Sequence, residues 1–328
     1  MNVDRLLTVL TATIPVFALI GLGKLLERKG ILTTDRREFI NFVVFRFSLP
    51  ALIFTEVSQQ RFSSLWNGAL IAAPLAAIAV AAPAFVAFAR LLRFRGVFAA
   101  AFVYGTFWAN VSYLGFPLAE NALGANGLAL AAVYNAFVMP VFIVLAYVLI
   151  ALYGGGDSAR PGAVLRTIVG NPIIGSVFLG IVAALAADRY RAFAGTSAVP
   201  PVLESIRGAV YSFLGLLGRM GLPLALVGIG GALHLPRSRE HRSALILAVG
   251  GKLLLLPLLT LMVLSFLFPQ AASSVNAIAV LMSSMPLAVA GYVVGRNIGV
   301  DEGFMASLLV LSTAISMVTV PIWLYFVL

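Results

Sequence analysis

The sequence predicts an all-α polytopic membrane protein of ten transmembrane helices, arranged as two inverted five-helix repeats. Three observations carry this fold class. The 328-residue chain is 61% hydrophobic and only 10% charged, with a mean hydropathy of +1.05, whereas soluble domains are about 25% charged and about half apolar. Ten apolar stretches succeed one another, each near or above the roughly 20 residues that cross a bilayer. Proline-centred interruptions recur in the same order in the two halves of the chain.

Sliding hydropathy places the spans at about 6–26, 38–57, 65–91, 97–121, 127–152, 165–187, 203–233, 243–268, 271–297 and 302–327. The first lacks a basic leader and a small-residue cleavage site, so it reads as a retained span and not a signal peptide. Connections are short. The longest polar one, Gly-Gly-Gly-Asp-Ser-Ala-Arg-Pro at 154–161, is a linker by composition. It divides the chain into a first repeat, 1–153, a linker, 154–164, and a second repeat, 165–328.

Lys and Arg outside the spans set the orientation. With the N-terminus outside, the inner loops hold fourteen of them, from Lys24, Arg28 and Lys29 to Arg237, Arg239, Arg242 and Arg296, and the outer loops hold five. Both termini are therefore expected outside a cell membrane, inner or plasma. Three of the outer five, Arg189, Arg191 and Arg207, flank Pro200-Pro201 and run against the bias. These loops account for the net charge of +10, so nucleic acid is not expected as a partner. No cysteine is present, which removes disulfides, thiolate metal sites and Cys nucleophiles. His234 and His241 share one basic loop without metal-ligand spacing, a P-loop or a nucleophile motif around them. No cofactor or metal, and no enzymatic activity, is expected.

Five spans per half is an odd number, so two like repeats must enter the membrane from opposite sides. The proline pattern supports the repeat. Arg46-Phe-Ser-Leu-Pro50 in span two matches Arg219-Met-Gly-Leu-Pro223 in span seven, and Gly115-Phe-Pro117 in span four matches Ser284-Met-Pro286 in span nine. Spans five and ten carry the late prolines Pro140 and Pro321. Pro50 and Pro117 are 67 residues apart, and Pro223 and Pro286 are 63 apart. Proline removes a backbone donor and clashes with the carbonyl one turn back. Beside Gly115, or Ser283 and Ser284, it is expected to unwind the helix at Pro117 and Pro286; the competing reading is a simple bend. Half-helix N-termini at mid-depth suit an anion, and exposed carbonyls suit a cation or a donor. Asn110, Ser112, Gly115, Pro117, Ser283, Ser284 and Pro286 are thus candidate substrate-binding residues.

Three stretches, Ile14-Pro-Val-Phe-Ala-Leu-Ile-Gly-Leu-Gly23, Leu49-Pro-Ala-Leu-Ile-Phe54 and Asn110-Val-Ser-Tyr-Leu-Gly-Phe-Pro-Leu118, resemble the auxin efflux carrier family, and within it the bacterial branch of malonate-type carboxylate transporters. The resemblance covers essentially the whole chain. Its most specific parts are the Asn110 to Pro117 spacing and the run from Leu311-Ser-Thr to Pro321. It implies that helices 4 and 9 break at a proline and cross. It also implies a scaffold of helices 1, 2, 6 and 7, often dimeric, and a transport bundle of helices 3–5 and 8–10 moving like an elevator. By resemblance, Asn110 is the substrate-binding asparagine, and Pro117 and Pro286 are the crossing-point prolines. The long central loop of the plant carriers is absent.

Arg46, Glu56, Glu120, Arg219, Lys252 and Arg296 lie within or at the ends of spans. A midplane charge costs about 2.5–3.5 kcal/mol on insertion scales. Lys252 is expected to snorkel to the cytoplasmic face and Arg296 to lie at an interface. Arg46 and Arg219 each stand one turn before a proline, on its face, and add candidate carboxylate ligands through a bidentate fork. The competing reading pairs them structurally with Glu56, carbonyls or lipid headgroups. Glu56 and Glu120 are candidates for H+ coupling, with Glu120 equally a boundary residue; a Na+ site built of carbonyls, or uniport, stays open. The expected function is secondary active transport of a small organic anion, such as a malonate- or auxin-like carboxylate. A membrane sensor or a channel-like protein is the alternative.

Overall fold

The computed structural model describes residues 3–61, 67–153, 169–194, 201–232, 242–288, 291 and 299–328. These residues form an all-helical bundle without a strand. The helices are α1 (Val3–Arg28), α2 (Thr34–Val43), α3 (Leu49–Gln59), α4 (Gly68–Leu91), α5 (Gly96–Phe107), α6 (Phe116–Tyr153), α7 (Pro172–Ala194), α8 (Pro201–Arg219), α9 (Gly221–Ala232), α10 (Arg242–Gly250), α11 (Leu256–Leu267), α12 (Ser273–Ser283) and α13 (Glu302–Val327). Among the described residues, eight helical stretches are long and apolar enough to cross a membrane, and α5 and α12 are shorter apolar helices. These two lie where spans four and nine are expected to begin. The 39-residue stretch Val111–Leu149 runs across the expected boundary of spans four and five. Within it Gly124 turns the chain at φ 63°, ψ −157°, a conformation open to glycine and strained for other residues. The 154–164 linker, His234, His241 and Arg296 lie outside the described residues.

Three π-helical turns, Val44–Ser48, Val111–Gly115 and Gly251–Leu255, join α2 to α3, lead into α6, and join α10 to α11. Each ends two residues before a proline, at Pro50, Pro117 and Pro257. A proline cannot donate to the carbonyl four residues back and crowds it, and the wider π turn accommodates that mismatch. At Pro257 the carbonyl left over is that of Leu253, and the indole Nε1 of Trp323 on α13 donates to it at 2.8 Å. Pro223 needs no such device, because it stands in the first turn of α9, where a missing N–H is harmless. Pro50 and Pro223, paired by sequence, are therefore met by different local structures.

Packing separates two regions. In one, α1 lies against α9 with Val9, Ala12, Val16 and Ile20 buried. Glycines allow the backbones to touch: a Cβ on Gly230 would collide with the Ile20 carbonyl, and one on Gly23 with the Val227 carbonyl. Close backbone approach through small residues is a main source of helix association in lipid. α3 packs beside this pair on α7 and α8. In the other region, α5 is buried along its length from Ala99 to Phe107, as expected for a helix apolar on all sides. Around it stand α4, α6 and α13, and the rings of Tyr104, Phe107, Trp108 and Phe142 pack against one another in a closed cluster.

Candidate functional site where two broken helices meet

α5 stops at Phe107, Trp108 to Asn110 are non-helical, and the chain re-enters a helix at Val111. The break thus precedes Pro117 by seven residues, and Gly115 and Pro117, expected to unwind, are helical. α12 stops at Ser283, and the chain is non-helical at Met285 and Pro286. The two breaks meet. Asn110 N–H donates to the Pro286 carbonyl at 2.8 Å, and Ala109 and Leu287 pair antiparallel. The backbone pairing between the breaks therefore joins Ala109 and Asn110 on one side to Pro286 and Leu287 on the other. Ser312 on α13 steadies the second segment: its Oγ accepts from Leu287 N–H at 3.2 Å.

Asn110 is the polar centre of this junction. Its carbonyl receives the N–H groups of Leu114 at 3.3 Å and Gly115 at 3.0 Å, starting the next helix. Its side chain is buried, and its Nδ2 has no hydrogen-bond partner. A buried donor left unmatched costs about 1–3 kcal/mol, and membrane depth offers no bulk water to relieve it. Asn110 and Ser112 line a tight cleft of about 20 Å³ together with Phe45, Trp108, Asn135 and Ala288. Asn135 Nδ2 donates to Ser112 Oγ at 3.4 Å. The cleft holds about one water and nothing larger as it stands.

Other expected ligands lie elsewhere. Ser283 Oγ donates to the Ala279 carbonyl at 2.7 Å and meets the hydroxyls of Thr260 at 2.9 Å and Tyr134 at 3.4 Å. Ser284 Oγ donates to the Leu281 carbonyl at 2.8 Å. Both serines are fully buried, and neither lines the cleft. Gly115 lets Met282 approach: a Cβ there would meet Met282 Sδ at 2.9 Å. Arg46, in the first π turn, and Arg219, at the end of α8, are both exposed; Arg219 lines two cavities with Glu120 and Arg46 lines neither. Glu56 lines the larger of these.

Lys252 does not snorkel. It is fully buried in the third π turn, and its Nζ donates to the Phe107 carbonyl at 3.1 Å. Phe107 is the last residue of α5, so its carbonyl has lost its helical N–H partner. A cation there also complements the negative end of the helix dipole. Hydropathy flags Lys252 as a charge inside a span, but not its partner 145 residues away. Asn135 and Ser312 carry a weaker signal, as polar residues deep inside apolar spans.

Helices long and apolar enough to cross a membrane, packed around two non-helical segments that meet at an unmatched amide, make this a polytopic membrane protein. The chain belongs to the membrane transport protein family, which it matches over residues 8–324. This agrees with the resemblance to the auxin efflux carriers. It is similar to an "Uncharacterized transporter" of Methanothermobacter thermautotrophicus, at 25% identity over 94% of this chain and 95% of the relative. It is also similar to a "Putative malonate transporter" of Rhizobium meliloti, at 27% identity over 96% of this chain and 94% of that protein. The protein is a membrane transporter and not an enzyme.

Proposed function

We propose that the protein is a secondary active carrier of a small organic anion, a malonate- or auxin-like carboxylate, working by elevator-type alternating access. The observation that carries this reading is the unmatched Asn110 Nδ2 at the meeting point of two helix breaks. A carboxylate oxygen is the acceptor that such a donor lacks, and a hydrogen bond to a charged group contributes about 1.5–3 kcal/mol. The name of the Rhizobium meliloti relative makes malonate the first anion to test.

In this reading the eight long helical stretches and the two interrupted helices make ten crossings. Residues 1–153 and 165–328 are inverted repeats joined by 154–164, set in the cell membrane with both termini outside. The glycine-mediated seating of α1 on α9, with α3 packed on α7 and α8, supports a rigid scaffold, through which two copies pair. The bundle around α5, α6 and α12 moves against it. Coupling to H+ would use Glu56 and Glu120; a Na+ site at the breaks, or uniport, would leave flux independent of pH.

Proteoliposome uptake of labelled malonate and of auxin-like acids tests the reading. Saturable uptake with counterflow is expected. Flux that never saturates would indicate a channel, and binding without flux a sensor. Asn110→Ala keeps the backbone bond to Pro286 and is expected to lower the initial rate at least tenfold, in line with the loss of one charged hydrogen bond. An unchanged rate in folded protein removes Asn110 from the site.

A further inference from the structure

Two cavities, of about 210 Å³ and about 680 Å³, lie at the start of α6. Leu52, Glu120 and Arg219 line both, so these three residues form the wall between them. The larger cavity is polar, with Glu56, Gln59, Tyr211 and Ser212 around it. The smaller is apolar, built of Pro15, Val16, Leu19, Leu222, Pro223 and Leu226, and it reaches Pro117 on the helix that begins at the Asn110 break. We infer that Arg219 is the anion-recognition residue of an access site at this wall, and that the site takes an organic acid with one carboxylate on an apolar body in preference to a compact dicarboxylate. This rests on the carrier reading above and narrows it.

Arg219 is the one cation lining either cavity among the described residues. It makes no hydrogen bond or ion pair with them, although Glu56 and Glu120 are near enough to interact with it coulombically. Its five donors are therefore available to a carboxylate in the forked geometry that guanidinium favours. The neighbouring polar groups are largely committed. Asn121 Nδ2 donates to the Ala12 carbonyl at 3.1 Å, Tyr211 OH donates to Ser58 Oγ at 2.9 Å, and Thr55 Oγ1 donates to the Leu52 carbonyl at 2.8 Å.

A single carboxylate on Arg219 leaves the rest of the molecule to the apolar chamber. A cavity of about 150 Å³ accepts a benzene ring, so 210 Å³ has room for one. A second carboxylate on a small molecule would meet either those apolar side chains, unpaired and desolvated, or the like charges of Glu56 and Glu120. Selectivity thus comes from repulsion as well as attraction. With the site unoccupied by an anion, the two glutamates compensate the guanidinium.

Calorimetric titration of the purified full chain in nanodiscs, with phenylacetate and with malonate, tests the inference. Wild type is expected to bind phenylacetate more tightly than malonate. Arg219→Gln should weaken phenylacetate at least tenfold with an unchanged melting temperature, and Arg219→Lys should recover part of that loss, since a point charge lacks the fork. Glu120→Gln, which leaves Arg219 in place, should tighten malonate at least threefold. Equal phenylacetate affinity in wild type and folded Arg219→Gln, tighter malonate than phenylacetate in wild type, or no malonate gain in Glu120→Gln would each overturn the access site while leaving an anion carrier standing. If wild type neither binds nor transports either acid, the carrier reading itself fails.

Discussion

Lys252 Nζ donates to the carbonyl of Phe107, and both side chains are buried to within 1% of full exclusion. The bond joins a π turn of one helix to the C-terminal end of the interrupted helix α5. Lys252→Met removes a costly buried charge but leaves the Phe107 carbonyl unmatched, at about 1–3 kcal/mol. The two effects oppose, so a melting temperature within a few degrees of wild type is expected in detergent. Lys252→Ala adds a cavity and should lose about 2–5 kcal/mol. Lys252→Glu, which sets a carboxylate against a carbonyl, should not yield folded protein by size-exclusion chromatography.

Ser283 is engaged by Ala279, Thr260 and Tyr134. Ser283→Ala is expected to cost about 1–3 kcal/mol of stability through the unmatched hydroxyls while leaving substrate affinity within twofold. A large loss of affinity at unchanged stability would return Ser283 to the binding site.

Gly230 has the Ile20 carbonyl where a Cβ would be. Gly230→Ala forces α1 and α9 apart and should lower stability by about 1–3 kcal/mol, the usual range for overpacking. Gly21, which has open space around it, provides the control: Gly21→Ala should melt at or slightly above wild type, because alanine favours the helix. Equal melting of the two variants would remove the close-approach argument.

Arg46 is exposed and lines neither cavity beside Glu120. Arg46→Ala is expected to leave the affinity for either acid unchanged, in contrast to Arg219→Gln. Matching losses in the two would restore the sequence-based view of a symmetric arginine pair.

The structure sets the two arginines in different surroundings for a physical reason. Four-residue spacing puts Arg46 and Pro50 on one face only if the helix between them is regular. The π turn Val44–Ser48 adds a residue to the turn and rotates the residues after it relative to those before it. The same device explains why the break in helix four is displaced from its proline. Pro117 is the obvious breaker in the sequence, but the π turn Val111–Gly115 absorbs it. The helix opens earlier, at Trp108–Asn110, where the facing segment of Pro286 and Leu287 supplies the backbone bonds. The break at Pro286 is legible because Ser283 and Ser284 beside it offer local hydroxyls for the last turn, as Ser284 does for Leu281.

From the amino-acid order come the helical membrane class, the rough positions of the spans and the interruption at Pro286, while the interruption of helix four reads there at Pro117 and not at Asn110. Those properties come from hydropathy and backbone chemistry acting over one or two turns. Tertiary structure alone decided that the two interruptions touch, that Lys252 serves the end of another helix, and that Arg219 shares two cavities with Glu120 while Arg46 lines neither. Each of these depends on which helix faces lie together across long sequence separations, and a rotation of one residue at a π turn is enough to change the answer.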